Sequence, residues 1–135
     1  MADFRIVTDD FAVAPQIAPE DLAEAAARGF TLVINNRPDG EAPDQPASVE
    51  MQAAAQAAGL DYAYIPVAGG PGPAQVEAVL KAVAEARGPV LAFCRSGTRS
   101  IVTWSLGQAG SGGRPRDELI RLGAAAGYDL SGILR

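Results

Sequence analysis

A chain of 135 residues with 48% hydrophobic and 20% charged content reads as one water-soluble globular domain with room for a real core. A formal net charge of −5 gives no basic footprint for nucleic acid or anionic membrane, and no apolar run approaches a membrane span. Histidine is absent and cysteine occurs once, which excludes Cys-His and Ser-His catalysis, imidazole zinc sites and an internal disulfide.

Phe4 to Val7 and Phe11 to Ala14 read as two short strands, or a strand and an extended arm, separated by Thr8-Asp9-Asp10. Pro19, Glu20 and Asp21 open a helix with Pro at its first position, Glu24 and Arg28 pair at i,i+4, and Gly29 stops it. Thr31 to Ile34 is a continuous apolar run, as a parallel strand covered on both faces requires. It feeds the polar loop Asn35-Asn36-Arg37-Pro38-Asp39-Gly40-Glu41, at the kind of strand end where α/β proteins place function. Ser48 is the expected N-cap of a helix through Ala58, and Asp61 to Ile65 forms a strand that Pro66 ends.

The Ala68-Gly69-Gly70-Pro71-Gly72-Pro73 loop matches neither the dinucleotide fingerprint nor a nucleotide-triphosphate loop, so no cofactor is expected. Val76, Val79, Leu80 and Val83 follow helical spacing, with Glu77 and Lys81 as an i,i+4 pair. Gly88-Pro89 ends that helix and launches the strand Val90 to Phe93. Ile101, Val102, Trp104 and Leu106 make a helix that is apolar most of the way round, hence buried, with Trp104 in the core. After the break Gly110 to Pro115, a last helix from Arg116 to Ala126 turns Leu119, Ile120 and Leu122 inward and pairs Asp117 with Arg121. The tail, Tyr128 to Arg135, adds at most a final turn. This alternation predicts a single three-layer α/β domain over 1–135, with a mainly parallel central sheet and helices on both faces.

The chemistry concentrates in Cys94-Arg95-Ser96-Gly97-Thr98-Arg99-Ser100, where a buried strand stops at the lone thiol and a polar loop feeds a helix N-terminus. Loop amides and the helix dipole favour negative charge there, and so favour a thiolate. Gly97 lets the backbone turn so that successive N–H groups form an anion cradle with Arg95, Ser96 and Thr98. Arg99 can grip two oxygens of a tetrahedral anion, and the Ser100 hydroxyl is placed to donate to the sulfur. Cys94 is the expected nucleophile, giving a phosphocysteine or a persulfide.

The sequence resembles the beta-lactamase-hydrolase-like, phosphatase-like family (domain of unknown function 442). The resemblance lies in Pro15-Gln16-Ile17, Pro19 to Leu22, Gly29-Phe30, Val33 to Glu41, Asp44-Gln45-Pro46, Ala58-Gly59-Leu60, Ile65-Pro66-Val67 and Phe93 to Ser100. It implies a dual-specificity-phosphatase-like fold, with Cys94 and Arg99 as catalytic positions and the loop between them as the anion cradle. It also implies a phosphate- or sulfur-containing anionic substrate, and a functional partner of the metallo-β-lactamase fold. Ordinary tyrosine phosphatases have His before the cysteine and five residues between Cys and Arg; here Phe93 precedes Cys94 and four residues intervene. They also carry an aspartate general acid on the loop corresponding to Val67 to Pro73, which here contains no acid.

Carboxylates near the same sheet edge are Asp39, Glu41 and Asp44, of which Asp39 and Glu41 are the candidate general acids; Arg37 is a further anion-binding candidate. Three readings stand: a cysteine-dependent phosphatase, a rhodanese-like sulfurtransferase or persulfide carrier, and a non-catalytic oxyanion-binding module. The start Met-Ala-Asp-Phe-Arg has no secretory pattern, so a cytoplasmic location is expected. Physiological substrate and oligomeric state are not encoded in any motif of the chain.

Overall fold

The protein is described from a computed structural model covering residues 2–134. Met1 and Arg135, the outermost residues of the expected start and tail, lie outside the described residues.

Ten elements follow in chain order: β1 (Arg5–Thr8), β2 (Phe11–Ala14), α1 (Asp21–Ala27), β3 (Leu32–Asn35), α2 (Ser48–Ala57), β4 (Asp61–Tyr64), α3 (Pro73–Glu85), β5 (Val90–Phe93), α4 (Thr98–Gly110) and α5 (Arg116–Ala126). The sheet order is β1-β2-β5-β3-β4. β1 and β2 form an antiparallel hairpin, and β2, β5, β3 and β4 are parallel. The first two segments are therefore both strands.

Side-chain alternation along the strands divides the core in two. Phe11 and Val13, Leu32 and Ile34, and Val90 and Ala92 face Val79 of α3, Ile101 and Trp104 of α4, and Leu119 of α5. Ala12 and Ala14, Val33, and Leu91 and Phe93 face Leu22 and Ala25 of α1, and Met51 and Ala55 of α2. Successive strand residues point to opposite faces, so unbroken apolar strands require exactly such a pair of helical layers. The expected three-layer architecture is the observed one. Trp104 is in the core as expected, stacked on Phe11 with ring centroids 4.8 Å apart.

Local differences have local causes. α1 begins at Asp21, because Pro19 and Glu20 sit in a turn where the Asp21 carboxylate accepts the Ala18 amide at 2.8 Å. α4 begins at Thr98, three residues before its apolar stripe, because Gly97 is already its N-cap. Glu24 and Arg28 pair as expected at 3.3 Å. Asp117 pairs with Arg116 instead of Arg121, Arg114 pairs with Glu118, and Glu77 and Lys81 form no ion pair. Exposed pairs of this kind contribute only a few tenths of a kcal/mol, roughly, so spacing alone does not decide them.

The parallel register brings three strand ends side by side. Phe93 pairs with Ala14 on one side and Asn35 on the other. The residues just beyond, Gln16, Cys94, and Asn36 with Arg37, therefore share the carboxyl edge of the sheet.

Candidate active site

Cys94 follows β5 and is fully buried. Its Sγ accepts the Gly97 main-chain N–H at 3.1 Å. Gly97 has φ +89°, a left-handed conformation that an L side chain rarely adopts, and this turn folds the loop back over the sulfur before α4 begins. The loop is tied down from outside by its carbonyls. The Gln16 N–H donates to the Arg95 oxygen at 3.1 Å, and the Tyr128 hydroxyl donates to the Ser96 oxygen at 2.8 Å. The main-chain N–H groups of Arg95 and Ser96 have no protein acceptor among the described residues. Arg95, Ser96 and Thr98 are exposed, and Ser96 donates its hydroxyl to Thr98 at 2.9 Å.

Arg99 stands one residue into α4. Its Nη1 and Nη2 each donate at 2.8 Å to the two oxygens of Glu41, and Nη1 also donates to the Val67 carbonyl at 2.7 Å. These contacts use three of the five guanidinium N–H groups and leave Nε–H and one Nη2–H. Those two share an edge of the planar group and can grip two oxygens of an anion. The Arg99 pKa is raised, above all by the hydrogen bond to Glu41, with the charge of Cys94 acting in the same direction.

In the fold Glu41 accepts hydrogen bonds from Arg99 and Arg37. Hydrogen bonds from Arg99, with Arg37 adding, outweigh desolvation and lower its pKa from the ordinary 4.5 to about 2. While paired it is ionised at neutral pH and holds no proton to deliver. Asp39 is also committed elsewhere: its carboxylate accepts the Ser48 N–H at 2.8 Å, at the first residue of α2. The cap expected from Ser48 is supplied by Asp39, and the Ser48 hydroxyl instead meets the Tyr62 hydroxyl at 2.7 Å.

Ser100 differs from expectation too. Its buried hydroxyl donates to Asn36 Oδ1 at 2.8 Å, so the Gly97 amide, and not Ser100, is the donor on the sulfur. Asn36 in turn donates to the Ile65 carbonyl at 2.9 Å, joining α4 to the strand ends. Arg37 is buried and bonded to Glu41 and Gln16, each at 3.0 Å, which makes it a brace behind Glu41 and not an exposed anion ligand. No cluster of three His, Cys, Asp or Glu side chains able to hold a metal occurs among the described residues. None of their helices is long and apolar enough to cross a membrane.

The sequence assigns no site role to Gln16, Asn36 or Tyr128, although Gln16 and Asn36 lie in the segments that carry the resemblance. Amides and phenols at these positions carry no local pattern, and only strand order and the returning tail bring them to the loop.

Comparison with known proteins places this geometry. The family described as the phosphatase-like domain of beta-lactamase hydrolase-like protein matches residues 3–111, most of the chain and the whole Cys94–Arg99 loop. The chain belongs to this family. A beta-lactamase hydrolase-like protein of Agrobacterium fabrum is 39% identical over 133 residues, covering 96% of this chain and 30% of its own length. The chain thus spans under a third of that relative. A Neisseria meningitidis crystal structure of a candidate phosphatase superposes with a TM-score of 0.85 at 30% identity, covering 98% of this chain and 94% of the other. A Shewanella putrefaciens structure, described as a candidate phosphatase of the domain-of-unknown-function 442 group, superposes at 0.73 with 21% identity, covering 95% and 93%. At that identity it supports the fold of the phosphatase-like family and nothing finer.

Proposed function

We propose that this phosphatase-like domain is a cysteine-dependent phosphatase acting on activated or aryl phosphate esters through a phosphocysteine at Cys94. The observation that carries the reading is the Gly97 amide on the Cys94 sulfur, in a loop opening onto α4 with Arg99 alongside. In this reading the Gly97 N–H is the donor that serves the sulfur as it attacks and as it leaves phosphorus. The remaining Arg99 edge and the unpartnered Arg95 and Ser96 amides match the oxygens of a tetrahedral dianion. In the first step the thiolate attacks phosphorus, an S–P bond forms, and the bond to the ester oxygen breaks with the electron pair leaving on that oxygen. In the second, water attacks phosphorus, loses a proton to solvent, and the S–P bond breaks to regenerate the thiolate and release phosphate.

With Glu41 ionised and Asp39 capping α2, neither candidate acid stands ready to protonate the leaving oxygen. Aryl esters, whose phenolates leave unaided, are therefore the expected substrates, with a steep dependence of rate on phenol acidity. Hydrolysis of an aryl phosphate should vanish in Cys94→Ser and fall about 10²–10³-fold in Arg99→Ala. Wild-type turnover in Cys94→Ser would refute the reading.

The same lack of a poised acid favours a second reading, sulfur transfer, in which sulfur moves between thiolates and no proton donor is needed. It predicts that thiosulfate or a persulfide donor adds the mass of one sulfur at Cys94, with thiocyanate formed on addition of cyanide. Phosphate binding with neither activity would select the non-catalytic anion-binding module. A functional partner of the metallo-β-lactamase fold is part of the same proposal, supported by the family's description as a domain of beta-lactamase hydrolase-like protein.

A further inference from the structure

The segment after α5 carries no motif, yet it reaches the cysteine loop. Gly127 closes α5 with φ +97°, and the chain turns back so that the Tyr128 N–H donates to the Gly123 carbonyl at 2.8 Å. Leu130 and Leu134 are buried, and the Arg116 side chain donates to the Leu134 carbonyl, so the segment is packed against the body. The Tyr128 ring lies beneath the Arg5 guanidinium at 5.2 Å, and its hydroxyl donates to the Ser96 oxygen.

The Ser96 carbonyl and the Gly97 N–H belong to one peptide unit. It is trans, so the two groups point in opposite directions. One end meets the Tyr128 hydroxyl and the other meets the Cys94 sulfur. Fixing the first therefore aims the second. Such a restraint matters here because glycine tolerates either sign of φ, so this unit can rotate about the Ser96 and Gly97 dihedrals. Half a turn would set the Ser96 oxygen against the sulfur and against any anion above it. Contact is close: a Cβ at position 97 would clash with the Tyr128 oxygen. Burial raises the Tyr128 pKa, with the charge of Cys94 adding and Arg5 opposing, so the phenol stays a donor at neutral and mildly alkaline pH.

We propose that Tyr128 is a positioning residue of the Cys94 site, its hydroxyl locking the Ser96–Gly97 peptide so that the Gly97 amide faces the sulfur. This rests on reading the loop as a reactive-cysteine anion site, and Tyr128 lies beyond the residues 3–111 that the family match covers.

Tyr128→Phe in the full chain keeps the ring and removes only the donor. The expected result is a near wild-type melting temperature, a displaced Gly97 amide resonance, and alkylation of Cys94 by iodoacetamide slowed about tenfold, the worth of one hydrogen bond. Protection of Cys94 by inorganic phosphate should weaken in parallel. Tyr128→4-aminophenylalanine, which restores an N–H donor, should return all three towards wild type. Arg5→Met, which removes the stacked cation and leaves the hydroxyl, should alter none of them. A Tyr128→Phe variant with wild-type Gly97 resonance and wild-type alkylation overturns the proposal. Should that variant fail to fold, the wild-type spectrum decides: a Tyr128 hydroxyl proton exchanging with water as fast as that of exposed Tyr64 also overturns it. No readout needs turnover, so failure to hydrolyse aryl phosphates would sink the phosphatase reading and leave this inference standing.

Discussion

The pair Glu41–Arg99 shows how a residue's role is set by what it touches. A carboxylate in a polar loop after a buried strand is a reasonable general acid, and Glu41 carries the right group on the right edge of the sheet. Both its oxygens are instead taken by Arg99, and one also by Arg37 at 3.0 Å, which fixes Arg99 with its other edge open. The consequence is measurable through pH. Glu41 titrates lower in the folded chain than in the unfolded chain, so its contribution to stability is complete above the ordinary 4.5 and is lost as pH falls through about 2. Thermal melts should show Glu41→Gln less stable than wild type at neutral pH, with the gap closing between pH 4.5 and about 2. A gap that does not change with pH would show that the charge of Glu41 is not what binds it to Arg99. Cys94 and Arg99 stand out in the sequence because their spacing is local; Glu41 was visible as a group, but its pairing with Arg99 was not.

Helix α2 illustrates the same point among elements. Its start was legible to within one residue: Ser48 is the expected N-cap but the first helical residue of the observed helix, whose N-cap is Ala47. The group that satisfies its first amide is Asp39, nine residues upstream, brought there by the loop after β3. Asp39→Ala should lower stability in urea by about 1 kcal/mol, the ordinary cost of losing a helix cap. The acid limb of the pH–rate profile should be unmoved. An equal loss of rate and no loss of stability would restore Asp39 as a proton donor. Strand and helix order was legible throughout, because apolar periodicity and Gly or Pro punctuation act over a few residues. End positions moved where a turn intervened, as at Asp21 and Thr98.

For the whole molecule, the cysteine loop is only as rigid as the layer beneath α4. Trp104 on α4 stacks on Phe11 of β2 with 7° between ring planes, coupling the helix behind the loop to a central strand. Trp104→Ala should cost about 3–5 kcal/mol in equilibrium unfolding, since a large buried ring is removed and its cavity only partly collapses. A loss below about 1 kcal/mol would mean that the stack does not hold the layers together. The unbroken apolar runs of β3 and β5 made this two-layer core predictable before any contact was known.

The amino-acid sequence by itself determined the element order, the two buried sheet faces and the single thiol set beside an arginine at a helix start. These follow from patterns that repeat over two to seven residues and need no knowledge of distant neighbours. Tertiary structure decided the rest: the strand order that sets Gln16, Cys94 and Asn36 side by side, the pairing of Glu41 with Arg99, and the return of Tyr128 to the loop. Glu41 and Arg99 are 58 residues apart, and Ser96 and Tyr128 are 32 apart. Bonds of that span depend on how the sheet is threaded and where the tail packs, which no local pattern around Cys94 encodes. The donor on the sulfur is a backbone amide, so its direction is a property of the fold.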